Sequence, residues 1–407
     1  MGDGAVAKET QTRVEFLKSD TSKNSAKHDV EVEQTLGKIL AALKAGDQKS
    51  LASYVELDRM IKSLKKRGLI DQMGEEKRES FTKLGSMAMA KGLMQMQEML
   101  ELDKVRVVNI QVENDKHLVV YTKLWSRYLQ SYCCMRWWLV KNENGEWKAY
   151  DYEDLDSNLR ASSLLGLLLR DMGKKDAPWG QEFGALCVHL SRYRMSEDEG
   201  VDIDVIHKSV DKLLKMELPR EVEMFARYFK MTTYYELGEY ELAKGELDKM
   251  LVLDADIVGL VFMQGEIAYG LEKYGEAIKH YEKYASIMGW DSDIHEAMSD
   301  TYQEMGEDLK AEKHAKLGLK DNPDALGCVA SLAIVLPEDR RKELLPHIEA
   351  SSRPEEAFEV TIDYLLAMEE YDYAQWLIHS VQDEMHAHKE LLTEYQDVLD
   401  DLQSDEE

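Results

Sequence analysis

Apolar residues recur along this chain first at helical spacing, then at strand spacing, then at helical spacing again. Helical patterning starts near Val30: Leu36, Ile39, Leu40 and Leu43 share one face, and Gly46 or Asp47 ends the segment. A second helix is predicted around Leu51–Leu64 and a third around Ser80–Leu100. Ser80 suits the N-cap of the third, because its hydroxyl can accept from first-turn amides. Met87, Met89, Met94, Met96 and Met99 lie along that helix. Methionine fills irregular gaps in cores and also suits adaptable grooves; core packing is the reading taken here.

The period then drops to that of strands. Val105–Val112 is rich in β-branched residues and stops at the turn signal Glu113-Asn114-Asp115. His117–Leu129 and Tyr132–Lys141 are rich in Val, Tyr, Trp and Leu. Asn142 to Gly145 forms a hairpin turn, and Glu146–Tyr152 makes a fourth strand. A helix near Ser157–Asp171 follows. Beyond it the helical pattern returns in pairs: Gln181–Arg194 with Val205–Lys215, Ala325–Val335 with Glu338–Ile348, and Glu355–Met368 with Tyr371–Met385. The last helix, His388–Leu402, is polar on its outer face, as the cap of a helical array must be.

The expected fold class is therefore mainly α. A disordered tail is expected over 1–28, where the sequence is polar and aperiodic. An α+β domain with a curved four-stranded antiparallel sheet follows over 29–157. A connecting helix over 158–178 leads to an α/α repeat domain over 179–405 that ends in the capping helix.

Between these outer pairs, from residue 224 on, the pattern repeats every 34 residues. Ala243, Ala277 and Ala311 stand one period apart, in the segments Tyr235-Glu-Leu-Gly238-Glu-Tyr240-Glu-Leu-Ala243, Leu271-Glu-Lys-Tyr274-Gly-Glu-Ala277 and Tyr302-Gln-Glu-Met-Gly306 onward. These segments resemble the tetratricopeptide repeat, in which small residues let the two helices of a hairpin cross closely. The repeats depart from that pattern in places. Met231 and Ser299 stand where Gly265 matches, only Pro323 matches the late proline, and Met250, Tyr284 and Gly318 share one position. The resemblance implies a solenoid whose first helices line a concave groove. It places Phe225, Tyr228, Tyr235 and Glu236 on that groove from the first repeat, and Phe262, Glu266 and Tyr269 from the second. Glu296, Asp300 and Glu304 come from the third, with Glu356, Glu359 and Asp363 from a later pair. The Lys and Asn clamp of the chaperone-binding branch of the family is missing at these positions. The helix-then-sheet order over residues 30–160 is similar to the cone fold of the nuclear-transport-factor-like superfamily, which implies a helix-covered, curved sheet around an interior.

Charge sharpens the picture. The chain carries a formal −28 over 407 residues. Residues 1–170 hold 25 Asp+Glu and 27 Lys+Arg, while 171–407 hold 54 acids and 24 bases, a net −30. Such a field repels phosphate backbones and attracts basic partners, so no nucleic acid is expected there. The expected function is a non-catalytic scaffold or adaptor that holds a basic peptide or protein in an acidic, aromatic groove.

The rival reading is a ligand-binding or cryptically enzymatic cone domain. Its candidates are Tyr121, Tyr128, Tyr132, Arg136 and Asp151, which form no recognisable acid–base dyad. Trp125, Trp137, Trp138 and Trp147 are expected to fill the cone. No phosphate-binding, dinucleotide, metalloprotease or nucleophile-elbow motif occurs, so no catalytic residue, metal or cofactor is assigned. Asp151 to Asp156 has a superficial likeness to a calcium loop but lacks its glycine and terminal glutamate, and reads as capping the next helix. His386 and His388 diverge as a helical surface pair. Cys133, Cys134, Cys187 and Cys328 lack zinc spacing, and as free thiols they fit a reducing compartment. No apolar run reaches the ~18 residues of a membrane span. A cytoplasmic protein is expected unless a signal or anchor precedes the sequence, and a homodimer is a further reading.

Overall fold

The computed structural model describes residues 15–16, 29–70, 85–87, 89–97, 102–126, 131–155, 159–171, 179–195, 203–255 and 257–381, with isolated residues between 393 and 399. The chain divides into two compact units, Met1–Leu271 and Glu272–Glu407. The expected tail over 1–28 lies outside the described residues apart from the two-residue strand β1 (Glu15–Phe16).

In the first unit α1 (Asp29–Lys44) stops where Gly46 turns left-handed at φ 63. Asp47 then caps α2 (Gln48–Ser53) by accepting from the Ser50 amide at 3.0 Å. The single helix expected over Leu51–Leu64 is in fact two, because α3 (Leu57–Lys66) starts anew. Between them the backbone bonds to the sheet: Glu56 N donates to the Ala149 carbonyl and Ala149 N to that of Tyr54, each at 2.9 Å. Residues 85–87 and 89–97 form α4; the Ser80 cap and Met99 lie outside the described residues. Met89 is buried, and Met94 and Met96 pack against the core.

The sheet runs in sequence order: β1, β2 (Leu102–Asn114), β3 (His117–Ser126), β4 (Ser131–Lys141), β5 (Trp147–Asp154) and β6 (Leu159–Arg160). The four long strands are the expected antiparallel meander, with Gly145 at φ 81 in the last hairpin turn. One face, with Val120, Leu124, Met135, Trp137, Leu139 and Trp147, packs with Leu36, Ile39 and Leu40 of α1 and Leu93 of α4. The other face is buried as well, through Tyr121, Lys123, Trp125, Tyr132, Trp138 and Asp151. Covering both faces explains why these strands read as near-continuous apolar runs. Along β2, which carries only the two-residue β1 on its other side, three register shifts interrupt the ladder with β3. Bulges of this kind twist an edge away from flat pairing.

The helix expected from Ser157 begins later, as α5 (Ala161–Asp171), after β6. Then come α6 (Trp179–Met195), α7 (Ile203–Leu214), α8 (Arg220–Glu236), α9 (Tyr240–Leu253) and α10 (Val258–Gly270). The second unit holds α11 (Tyr274–Met288), α12 (Ser292–Glu304), α13 (Asp308–Asp321), α14 (Leu326–Val335), a 3-10 helix (Glu338–Glu343), α15 (Leu345–Ala350), α16 (Pro354–Ala367) and α17 (Tyr371–Val381).

These are tetratricopeptide-type helix pairs. Helices begin at Tyr240, Tyr274 and Asp308, and at Val258, Ser292 and Leu326, each series at the 34-residue period. The turn residue two places before each of the first series has positive φ: Gly238, Glu272 and Gly306, with Glu369 repeating the geometry before α17. Ala243, Ala277 and Ala311 are fully buried. The helix expected over Glu338–Ile348 is broken into the 3-10 helix and α15. Pro346 has no N–H to give the carbonyl four residues back and its ring clashes there, so a continuous helix cannot pass. The expected His388–Leu402 cap falls mostly outside the described residues, but Leu399 is fully buried in the second unit's core and Tyr395 donates to Asp363 Oδ1 at 2.9 Å.

Candidate protein-interaction site

In the first unit, α8 and α10 bring three of the expected groove residues, Tyr235, Glu266 and Tyr269, near one another. Tyr235 on α8 donates its phenol proton to Glu266 Oε2 on α10 at 2.6 Å. Burial first, and then the Glu266 carboxylate, hold that phenol well above its ordinary pKa. The Tyr240 ring meets Tyr235 edge-on at 5.6 Å. It also lies on Gly270, where an added Cβ would come within 2.4 Å of the ring. Tyr228, Phe262 and Tyr269 are half-buried and Glu236 is exposed. Phe225 departs from its expected place on the groove. It is 8% exposed and sits between Phe183 of α6 at 5.1 Å and Phe229 at 4.6 Å. The family register describes a hairpin and its successors, and α6 covers this position from the preceding pair.

In the second unit, α12 presents Glu296 and Asp300 half-buried and Glu304 exposed, along one stripe. The Glu296 carboxylate lies over Gly327 of α14, where an added Cβ would be 2.1 Å away. Asp300 Oδ1 accepts from the Ser331 hydroxyl of α14 at 2.6 Å, and Glu304 accepts from Tyr274 of α11 at 3.3 Å. Tyr364 of α16 faces the same stripe. Burial raises its phenol, and the Asp300, Glu304 and Glu296 carboxylates raise it further. Gly327, Ser331 and Tyr364 were missed by the sequence reading, because α14 and α16 lie outside the three matched repeats. The available signal was α14 itself, a charge-free run, LGCVASLAIV, between two acid-bearing helices. Of this unit's basic residues, Lys316 and Arg340 share Glu312 and Glu343 at 2.6 to 2.9 Å, while Arg353 pairs with the expected groove acid Glu356 at 2.5 Å.

The sheet's second face holds the candidates of the rival reading. Asp151, fully buried, accepts from the amides of Tyr152 and Ser162 at 3.1 Å, from the Ser162 hydroxyl and from Arg160. From β5 it thereby satisfies a first-turn amide of α5, whereas the sequence reading gave capping to the whole segment Asp151 to Asp156 ahead of a helix from Ser157. Arg67 lies 3.7 Å from Asp151 and donates to the Ser162 and Ser163 hydroxyls at 2.5 and 2.6 Å. Arg136 binds Glu153, and Arg160 and Arg136 lie over the Trp138 ring at 3.7 and 4.9 Å. Tyr121 and Tyr132 are buried; Tyr128 lies outside the described residues. All four tryptophans are buried: Trp137 and Trp147 on the helix-facing side, Trp125 and Trp138 on the other. A surface cleft of about 460 Å³ lies between α1 and the β4–β5 turn, lined by Glu31, Lys38, Tyr54 and Trp147 among others. Among the described residues, no three His, Cys, Asp or Glu side chains are placed to hold a metal ion, and no helix is long and apolar enough to cross a membrane. His386 and His388 lie outside the described residues.

No known family description matches the chain, and no curated protein matches it in sequence. Solved structures are similar at a distance. Pseudomonas aeruginosa PilF is 14% identical with a TM-score of 0.35, over 54% of this chain and 98% of that one. Yeast Tom70 is 13% identical with a TM-score of 0.35, over 60% and 50%. YrrB, described as a TPR protein with an unusual peptide-binding site, is 16% identical with a TM-score of 0.28, over 47% and 97%. The helix pairs are defined by their own recurrence and turn geometry.

Proposed function

We propose that the chain is a non-catalytic scaffold whose first-helix faces hold a basic peptide or protein. The observation that carries this is the α12–α14–α16 face, where two acid-bearing helices flank a charge-free one with small residues at Gly327 and Ser331. Glu296, Asp300 and Glu304 stand within electrostatic reach of Tyr364, so a Lys or Arg placed there would meet carboxylates and a ring together. The Tyr235–Glu266 contact on α8 and α10 offers the same pairing of phenol and carboxylate in the first unit. On this reading Phe225 supports the α6–α8 packing, and the remaining expected groove residues contact the partner.

The rival, catalytic or ligand-binding reading draws less support. Asp151, Arg136 and Glu153 are engaged with one another's neighbours, and Trp137 and Trp147 fill the helix-facing side of the sheet. Self-association through the sheet is disfavoured by the bulges along β2 and by β1, which occupies part of its outer side. The test is titration of a labelled Lys/Arg-rich peptide into the full chain at low and high salt, with an acidic peptide of equal length as control. Binding that weakens about tenfold or more as salt rises supports the proposal. Absent or salt-insensitive binding overturns it.

A further inference from the structure

The α12–α13 hairpin contains a feature that the binding reading does not use. His295 on α12 is buried, and its Nδ1 lies 3.1 Å from Nδ1 of His314 on α13. At that distance one nitrogen must donate its proton to the bare lone pair of the other, so at least one ring has to be neutral. The pair sits in an aromatic sandwich. Trp290, 44% exposed, stacks on His295 with centroids 5.1 Å apart and planes within 16°, and Tyr302 packs on His314 at 5.5 Å.

We propose that the His295–His314 pair is an acid-operated latch, which ties α12 to α13 while one ring is neutral and releases them when both are protonated.

Burial and a neighbouring lysine oppose the second proton, against the pull of the acids nearby. Lys313 adjoins His314 on α13, and Lys310 lies 4.8 Å over the Tyr302 ring. From α14 comes Cys328, whose Sγ sits against Gly318 beside the His295 Cβ; burial and nearby acids raise its thiol pKa. Two carboxylates mark the hairpin's open end: Asp291, which caps α12 at the Ile294 amide, and Asp321, which accepts from the Ser292 amide. The helix α11, packed on α12, brings Tyr281 and Tyr284 as buried phenols.

Burial, then His295 and Lys313, hold His314 down to about 4 from its ordinary 6.5. Between those values the unfolded chain binds a proton that the folded one refuses. The latch therefore contributes in full above pH 6.5 and its contribution falls away as pH drops toward 4. Because α12 also carries Glu296, Asp300 and Glu304, release would disturb the proposed acidic face. That consequence rests on the binding proposal, but the latch does not.

The test needs no partner. Histidine ring signals of the full chain are followed by NMR from pH 8 to pH 3.5, with His295→Asn and His314→Asn used for assignment. Asparagine can hold the hydrogen bond at the Nδ1 position but cannot titrate. One ring of the pair is expected to take its proton more than tenfold less readily than an ordinary histidine. In thermal unfolding, His314→Asn is expected to lose less of its Tm between pH 7 and 4.5 than the unaltered protein does. Both rings titrating at the ordinary value, or identical Tm profiles for the two proteins, would overturn the latch. Should His314→Asn fail to fold, the titration of the unaltered chain decides alone.

Discussion

The sheet and the acid-bearing faces of the later helix pairs treat acidic side chains in opposite ways. Residues 1–170 nearly balance their charges, and where acids go inside, as at Asp151 and Glu153, arginines go with them. Residues 272–407 hold 34 acids and 12 bases, and α12 and α16 set their acids along one face. Burying a charge is tolerable only with partners that replace water, so the sheet's acids are consumed by the fold. Acids at the surface of a helix pair remain in contact with solvent, and with whatever replaces it. Structural charge and the charge proposed for recognition can thus be told apart by burial and by what surrounds the group.

The contrast is tested most severely at Asp151. Removing the carboxylate by Asp151→Ala leaves Arg160 and the Ser162 amide without their acceptor and Arg67 without its counter-ion. The expected loss is about 3–5 kcal/mol of stability, read from denaturant unfolding. A loss under about 1 kcal/mol would show that water reaches this network and would erase the distinction drawn here.

A smaller effect is expected where α13 meets α14. Gly318→Ala places a methyl within 2.3 Å of Cys328 Sγ and 3.2 Å of His295 Cβ. Overpacking of this kind costs about 1–3 kcal/mol. Adding Cys328→Ala should recover part of it, and purely additive losses in the double variant would mean that the two side chains do not meet. On the recognition side, Asp300→Asn is expected to weaken the binding of a basic peptide about fivefold, roughly 1 kcal/mol, while leaving Tm within a few degrees. Equal affinity for the two proteins would move the binding face away from α12.

Legibility in the sequence followed the range of the interaction. The burial of Ala243, Ala277 and Ala311 was readable because each lies at a helix crossing set by its own hairpin. The segment from Asp151 was readable as serving the next helix, but its reach from β5 past β6 to the Ser162 amide was not. The break at Tyr54–Glu56 was not, because it depends on Ala149, far along the chain. The burial of Phe225 was hidden because its cover, Phe183, belongs to another helix pair that departs from the repeat pattern. Pro346 was in plain view, and the helical spacing of its neighbours outweighed it in the reading. Gly327 and Ser331 carry no charge, so nothing in their own chemistry marks α14 as the neighbour of the acidic stripe on α12.

The finest expected effect concerns the hairpin turns themselves. Gly238 and Gly306 take positive φ without a Cβ penalty, whereas Glu272 and Glu369 hold φ 59 and 60 at the equivalent places. For an L-residue with a side chain that conformation costs about 1–2 kcal/mol, and glycine gives back about 0.5–1 kcal/mol through its freer unfolded chain. Glu272→Gly and Glu369→Gly should therefore each stabilise by about 0.5–1 kcal/mol, and each removes one acid from a chain in acid excess. Gly306→Ala should move stability the other way by a similar amount. Charge and backbone are separable by adding Glu272→Gln, which keeps the side chain and drops the charge. If glutamine stabilises as much as glycine, the turn is strained by repulsion and not by φ, and the four turns are not equivalent after all.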